Sequence, residues 1–116
     1  QNGRAFMIGI DRNTGRTIGA FEQFVSRVTQ VMTTPLGARE HRPGFGSRVP
    51  ETLARNMGDE LLLLAQAHAT EAFYNPINGI GDFEPDQVVA SRDANGVRLR
   101  FTGKWRHRRE TFEVHL

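Results

Sequence analysis

The chain has no cysteine among its 116 residues. Disulfide bridges, thiol catalysis and cysteine-ligated zinc are excluded together, and the absence fits a reducing compartment. Long apolar runs are missing too. The longest, Leu61–Ala65, falls far short of the roughly 18 residues that a membrane-spanning helix needs. Nothing near the start reads as a charged stretch followed by an apolar one, so no secretory leader is expected. Lysine is nearly absent: Lys104 is the only one, and fourteen of the fifteen basic residues are arginine. Arginine's planar fork suits interfaces, although a GC-rich coding bias would leave the same mark. A large charge of one sign is lacking as well. A net charge of +2 is too small to argue for nucleic acid by itself.

What is present suffices for one compact domain. Hydrophobic residues make up 38% and charged residues 24%, which argues against a disordered chain and for a modest core. Gln1–Phe6 precede an internal Met7 and read as a cloning remnant, leaving residues 7–116 as the domain.

From Met7 to Arg16 the chain reads as a lead-in strand or extended arm, with turn chemistry at Asp11, Asn13 and Gly15. Phe21, Phe24, Val25, Val28, Val31 and Met32 then recur at helical spacing, predicting a helix over about 20–33, with Glu22, Gln23, Ser26 and Arg27 opposite. Pro35 stops it. Residues 33–50 are loop-like, punctuated by Pro35, Gly37, Pro43, Gly44, Gly46 and Pro50, and a helical turn is expected around 51–55. The next helix is capped by Asn56, carries Asp59 and Glu60 in its first turn, and ends at Asn75-Pro76. Its four consecutive leucines, Leu61–Leu64, predict a turn central to the core.

Beyond Pro76 the period changes. Val88 and Ala90 lead to Asp93-Ala94-Asn95-Gly96, a hairpin signal. Val97, Leu99 and Phe101 alternate with Arg98, Arg100 and Thr102, Arg106–Arg109 form a polar connection, and Phe112, Val114 and Leu116 alternate with Thr111, Glu113 and His115. The expected fold is α+β: two main helices, then a three-stranded antiparallel C-terminal sheet.

Signals for chemistry are sparse. His41, His68, His107 and His115 form no metal-binding pair, and His68 reads as a hydrogen-bonded core histidine. No pattern pairs Glu40, Glu51, Glu84 or Asp86 across a cleft as glycoside hydrolysis requires. Ser47 lies outside any nucleophile elbow, and Gly44-Phe45-Gly46 is not a nucleotide loop. No catalytic residue, cofactor or metal is expected. Arg98, Arg100, Lys104, Arg106, Arg108 and Arg109, with Phe101 and Trp105 among them, could form a single-strand nucleic-acid platform. A solvated sheet face with Glu113 as a cross-strand partner is favoured over it.

Residues 33–47, TTPLGAREHRPGFGS, resemble the signature of the gene-25-like (W-like) baseplate wedge family of contractile phage tails, related to a type VI secretion baseplate subunit. The matching positions are Thr34, Pro35, Leu36, Gly37, Arg39, Arg42, Pro43, Phe45 and Gly46. Residues 11–16 are similar to the start of phage members, and the long helix and closing strands sit where the family has them. One departure stands at the start of the sheet, where the family carries Glu-Pro-Arg and this chain has Glu84-Pro85-Asp86.

The resemblance implies a virion protein rather than an enzyme, assembled in the bacterial host cytoplasm into the tail baseplate. Its implied partners are other wedge proteins and the sheath and tube, with one copy per sixfold wedge and no role for membrane or nucleic acid. Gly37, Gly44 and Gly46 permit tight backbone, while Arg39 and Arg42 could pin the loop internally or meet a partner. The last strand, with Thr111, Glu113 and His115 outward, is expected to carry an edge open to strand addition.

Overall fold

The computed structural model describes residues 12–55, 58–94 and 96–116, and for 12–18 the course of the backbone. Three helices, α1 (Arg12–Thr33), α2 (Val49–Arg55) and α3 (Glu60–Phe73), and a 3₁₀ turn at Pro76–Asn78 precede three strands. The strands, β1 (Phe83–Asp93), β2 (Gly96–Trp105) and β3 (Arg108–His115), form one antiparallel sheet in the order β1-β2-β3. This is the α+β architecture that the change of period near Pro76 predicts.

Helix α1 buries Phe24, Val28, Val31 and Met32 completely and exposes Glu22, Gln23, Ser26 and Arg27, as the spacing requires. Its start differs from expectation. Arg12, Asn13 and Gly15 are helical and form neither an arm nor a turn; Met7–Asp11 and the presumed remnant lie outside the described residues. Nucleation is the costly step of helix formation, so a stretch anchored through Phe24 and Val28 propagates upstream over poor helix formers, each added residue contributing one hydrogen bond.

Helix α2 bears out the turn expected near Glu51, starting two residues earlier at Val49. Helix α3 buries Leu61, Ala65, Ala69, Ala72 and Phe73, but its four leucines are not all core. Leu63 is 67% exposed, because only one side of this helix is covered and successive residues rotate through 100° or so. His68 is not a core residue either. Its side chain is 21% exposed at the rim, with Nδ1 3.7 Å from the Glu71 carboxylate.

The sheet's inner face carries Val97, Leu99, Phe101 and Trp105 of β2 with Phe112 and Val114 of β3, all buried. Phe24 of α1 lies 6.0 Å from Phe83, 6.1 Å from Trp105 and 6.0 Å from Phe112, ring to ring. Phe73 of α3 meets Phe101 at 5.3 Å. Such offset and edge contacts each add about 0.5–1.5 kcal/mol beyond their burial, so one aromatic cluster joins both long helices to all three strands.

The hairpins differ slightly from the sequence reading. Asp93 pairs with Gly96, so Gly96 already belongs to β2; it opens the strand with φ +147, where a Cβ would come within 2.7 Å of the Leu116 carbonyl oxygen. The connection from β2 to β3 is only Arg106-His107, both with positive φ (49° and 72°). Arg108 and Arg109 already belong to β3, opposite Trp105 and Lys104. A two-residue hairpin with both φ positive twists with the strands it joins, and here arginine and histidine accept that backbone.

Candidate functional site

The loop that carries the family-like motif begins where α1 is closed off by its own threonines. Thr33 Oγ1 donates to the Thr29 carbonyl at 2.7 Å and Thr34 Oγ1 to that of Gln30 at 2.6 Å. Pro35 then bridges to Ser47 in parallel fashion, with the Ser47 amide donating to Thr34 O at 3.0 Å. Between these ends the chain folds back on itself. The Gly37 amide (φ +83) donates to Pro43 O at 2.8 Å, and the Phe45 amide to Arg42 O at 3.0 Å. Gly46 has φ +116, and a Cβ there would lie 2.3 Å from Thr34 O. No other residue fits.

Two asparagines tie this loop to the connection between α3 and β1. Asn78, 3% exposed, accepts from the Gly46 amide at 2.8 Å and donates to the carbonyls of Gly46 and Ala72, both at 3.0 Å. Asn75 donates to Gly44 O at 2.8 Å, while its own Oδ1 accepts from the Ile77 amide at 3.1 Å. Phe45 is buried beneath the loop, with the Arg39 guanidinium 4.4 Å and that of Arg42 5.0 Å from its ring centre. Arg42 also donates through Nη2 to the Ile77 carbonyl. Among the described residues, that carbonyl and the Phe45 ring are what these two arginines are found to anchor on.

Glu84-Pro85-Asp86 sits at a β-bulge. Pro85 faces Gly103 and Gln87 faces Thr102, so Asp86 is the extra residue. Its carboxylate reaches over β2 to Arg109 of β3 at 2.9 Å. The charge that departs from the family pattern is thus answered within the chain. Gly103 makes the close approach feasible, since a Cβ there would lie 2.1 Å from Glu84 O.

On β3, Phe112 and Val114 are buried, Leu116 packs against the core, and Thr111, Glu113 and His115 are exposed, as the alternation predicts. Among the described residues no strand pairs with the outer side of β3. No hydrogen bond or ion pair found among them joins this strand to the motif loop, so the candidate residues fall into two separate places.

The basic residues of the sheet do not form a stacking platform. Phe101 and Trp105 are buried (0% and 2% exposed), out of reach of bases. Arg98 faces Glu113 at 3.9 Å, Arg106 faces Asp82 at 3.4 Å, and Arg108 faces Glu110 at 3.9 Å. Glu113 is opposite Arg100 in register but leans to Arg98. A shallow depression of about 250 Å³ is lined by Gly81, Asp82, Glu84, Lys104, Arg106 and His107. Its two carboxylates are both exposed and Asp82 is paired, unlike the sequestered acid that glycoside hydrolysis uses.

Sequence reasoning missed Asn75 and Asn78 as stitches; Asn75 figures in it only as the end of a helix. The nearest signal was an asparagine on each side of Pro76-Ile77, just beyond a helix end.

No family model and no curated protein matches the chain. Among solved structures it is similar to a candidate tail lysozyme from Geobacter sulfurreducens. The TM-score is 0.69, with 20% sequence identity over 95% of this chain and 93% of that one. At that identity the likeness establishes a shared fold, from end to end.

Proposed function

We propose that the protein is a structural subunit of a contractile phage tail baseplate, linking wedge proteins to the tube and sheath and helping sheath assembly to start. The observation that carries this reading is the end-to-end likeness to the fold of a tail protein. The motif loop adds to it. Gly37, Pro43 and Gly46 shape its backbone, and Arg39 and Arg42 lie exposed over the Phe45 ring, forming an arginine surface that a partner could meet. The exposed edge of β3 offers the second contact, a place where a sheath strand can add. No helix of the described residues is long and apolar enough to cross a membrane.

A second reading comes from the lysozyme description of the structural neighbour. We favour a non-enzymatic role, because the carboxylates Asp82 and Glu84 are both exposed and Asp82 is paired with Arg106. Purified cell walls incubated with the protein should clear no faster than buffer alone; clearance that disappears in Glu84→Gln would make it a hydrolase. The assembly reading is tested by deleting the gene from its phage or prophage and imaging particles. Tubes without sheath, restored by the wild-type gene, are expected. Normal sheathed tails in the deletion would refute it.

A further inference from the structure

The two edges of the sheet are not equivalent, and backbone phase shows how. The Leu116 amide donates to Val97 O at 2.8 Å. In an antiparallel ladder, hydrogen-bonded and non-bonded pairs alternate. In the β2-β3 register, Val114, Phe112 and Glu110 therefore turn their amides and carbonyls toward β2. Arg109, Thr111, Glu113 and His115 turn theirs to the open side. The same phase sends the Ala90 amide to the outer edge of β1, and there it meets Oε1 of Gln66 from α3 at 2.9 Å. The β1 edge is thus protected at Ala90 by α3 and interrupted by Pro85 and the bulge beside it, whereas β3 has no proline, no bulge and no covering strand among the described residues. Unprotected edges of this kind pair with whatever strand is available.

We propose that, before any other partner arrives, that strand is the β3 of a second copy of this chain. The two edges run antiparallel about a two-fold axis, Thr111 facing Thr111 and Arg109 of each copy facing Glu113 of the other. Charge selects this register. Only alignments that keep odd-numbered residues opposite one another bring open backbone groups together. Moving by one such step sets Arg109 against His115. Moving by two sets Glu113 against Glu113, a like-charge pair.

In the chosen register the solvent face carries Asp86, Arg109, then Glu113 and Arg98 of the second copy, alternating in sign. The pairs Arg109–Asp86 (2.9 Å) and Arg98–Glu113 (3.9 Å) already exist within each copy, so the new contacts join two preformed ion pairs. Such a dimer is isologous and sequesters the edge that strand addition requires. This inference follows from backbone phase and charge and does not depend on the tail reading.

Light scattering of the full chain over a concentration series tests it. Wild type is expected to pass from monomer to dimer with rising concentration. Glu113→Arg and Arg109→Glu should each weaken the dimer at least about tenfold, and the double exchange Arg109→Glu with Glu113→Arg should restore it, since 1.4 kcal/mol of pairing corresponds to tenfold. The chain has no cysteine, so Thr111→Cys provides an independent readout. Facing residues about 5.5 Å apart at Cα lie within disulfide range, and mild oxidation should crosslink Thr111→Cys but not Lys104→Cys. Circular dichroism verifies that each variant is folded. A wild type that stays monomeric into the millimolar range overturns the proposal. So does a dimer unmoved by either charge reversal, or one in which Thr111→Cys fails to crosslink.

Discussion

Among the described residues, the most irregular part of the molecule holds many of its backbone groups in hydrogen bonds, while one of its most regular parts leaves a side of its backbone open. The loop from Thr34 to Ser47 has no helix or strand, yet the amides of Gly37, Ala38, Arg42, Phe45, Gly46 and Ser47 are bound by its own carbonyls or by Asn78, and Asn75 and Asn78 donate to the carbonyls of Gly44 and Gly46. Strand β3 is eight regular residues, and one whole side of its backbone is left unpaired by its neighbours. Regularity and satisfaction are separate properties. A loop can be finished internally by a few well-placed amides, whereas an edge strand is regular because of the partner it has and incomplete because of the one it lacks.

The contrast is broken most forcefully at Gly46. Gly46→Ala must adopt φ near +116 with its Cβ 2.3 Å from Thr34 O. Strained backbone costs about 1–3 kcal/mol and overpacking about 1–3 more, so a loss of roughly 4 kcal/mol is expected in urea unfolding. A loss under about 1 kcal/mol would mean that the loop is looser than its hydrogen bonds imply.

Asn78→Ala should rank next. It deprives the Gly46 amide and two carbonyls of their buried partner, at about 1–3 kcal/mol for each group left unsatisfied before water re-enters. We expect roughly 3 kcal/mol in the same titration, with Asn78→Asp at least as costly, because it sets a buried carboxylate oxygen against the carbonyls of Gly46 and Ala72. An Asp variant milder than the Ala variant would show that the donor bonds to Gly46 O and Ala72 O carry nothing.

The arginines sharpen the comparison from the other side. Both are exposed, and an exposed cation over a ring contributes about 0.5–1 kcal/mol. Arg39→Ala and Arg42→Ala should therefore lower stability by no more than about 1 kcal/mol, Arg42 somewhat more for its bond to Ile77 O. In particle-yield complementation, however, both should impair assembly more than Arg98→Ala. Large stability losses with normal particles would assign them to holding the loop together.

These outcomes bear on what the sequence made legible. The change from a helical period to alternation near Pro76 located α3 and the strands, and of the three glycines expected to permit tight backbone, Gly37 and Gly46 have positive φ while Gly44 does not. Local rules reached that far. The start of α1 was hidden because propagation from a packed segment overrides the turn chemistry of Asn13 and Gly15. Leu63 was misplaced because an all-leucine turn does not reveal which side a sheet will cover. Asn78 was missed because one buried amide has no period. The phase of β3 was also out of reach: outward side chains can be read from alternation, but the direction of each amide depends on the register with β2.

That phase yields the prediction with the smallest energetic effect and the sharpest pattern. In dilute protein, the amides of Phe112 and Val114, bonded to β2, should exchange slowly with solvent hydrogen. Those of Thr111, Glu113 and His115 should exchange fast, producing alternate protection along a single strand. Raising the concentration should slow Thr111 and Glu113 selectively as the second copy covers them. Glu113→Pro removes one open-side donor and leaves the apolar face and the ladder to β2 intact, which an edge strand tolerates. Its stability should fall by less than about 1 kcal/mol, near the range of ordinary surface substitutions, and the concentration-dependent protection of Thr111 should vanish. Glu113→Thr, which keeps the donor, should retain most of that protection, because it removes one charge without placing like charges opposite each other. In tail assembly the proline variant should stall before the sheath grows and the threonine variant should not. Uniform protection along β3 in dilute solution would mean that the edge is already covered, and a proline variant that unfolds would mean that the Glu113 amide faces β2.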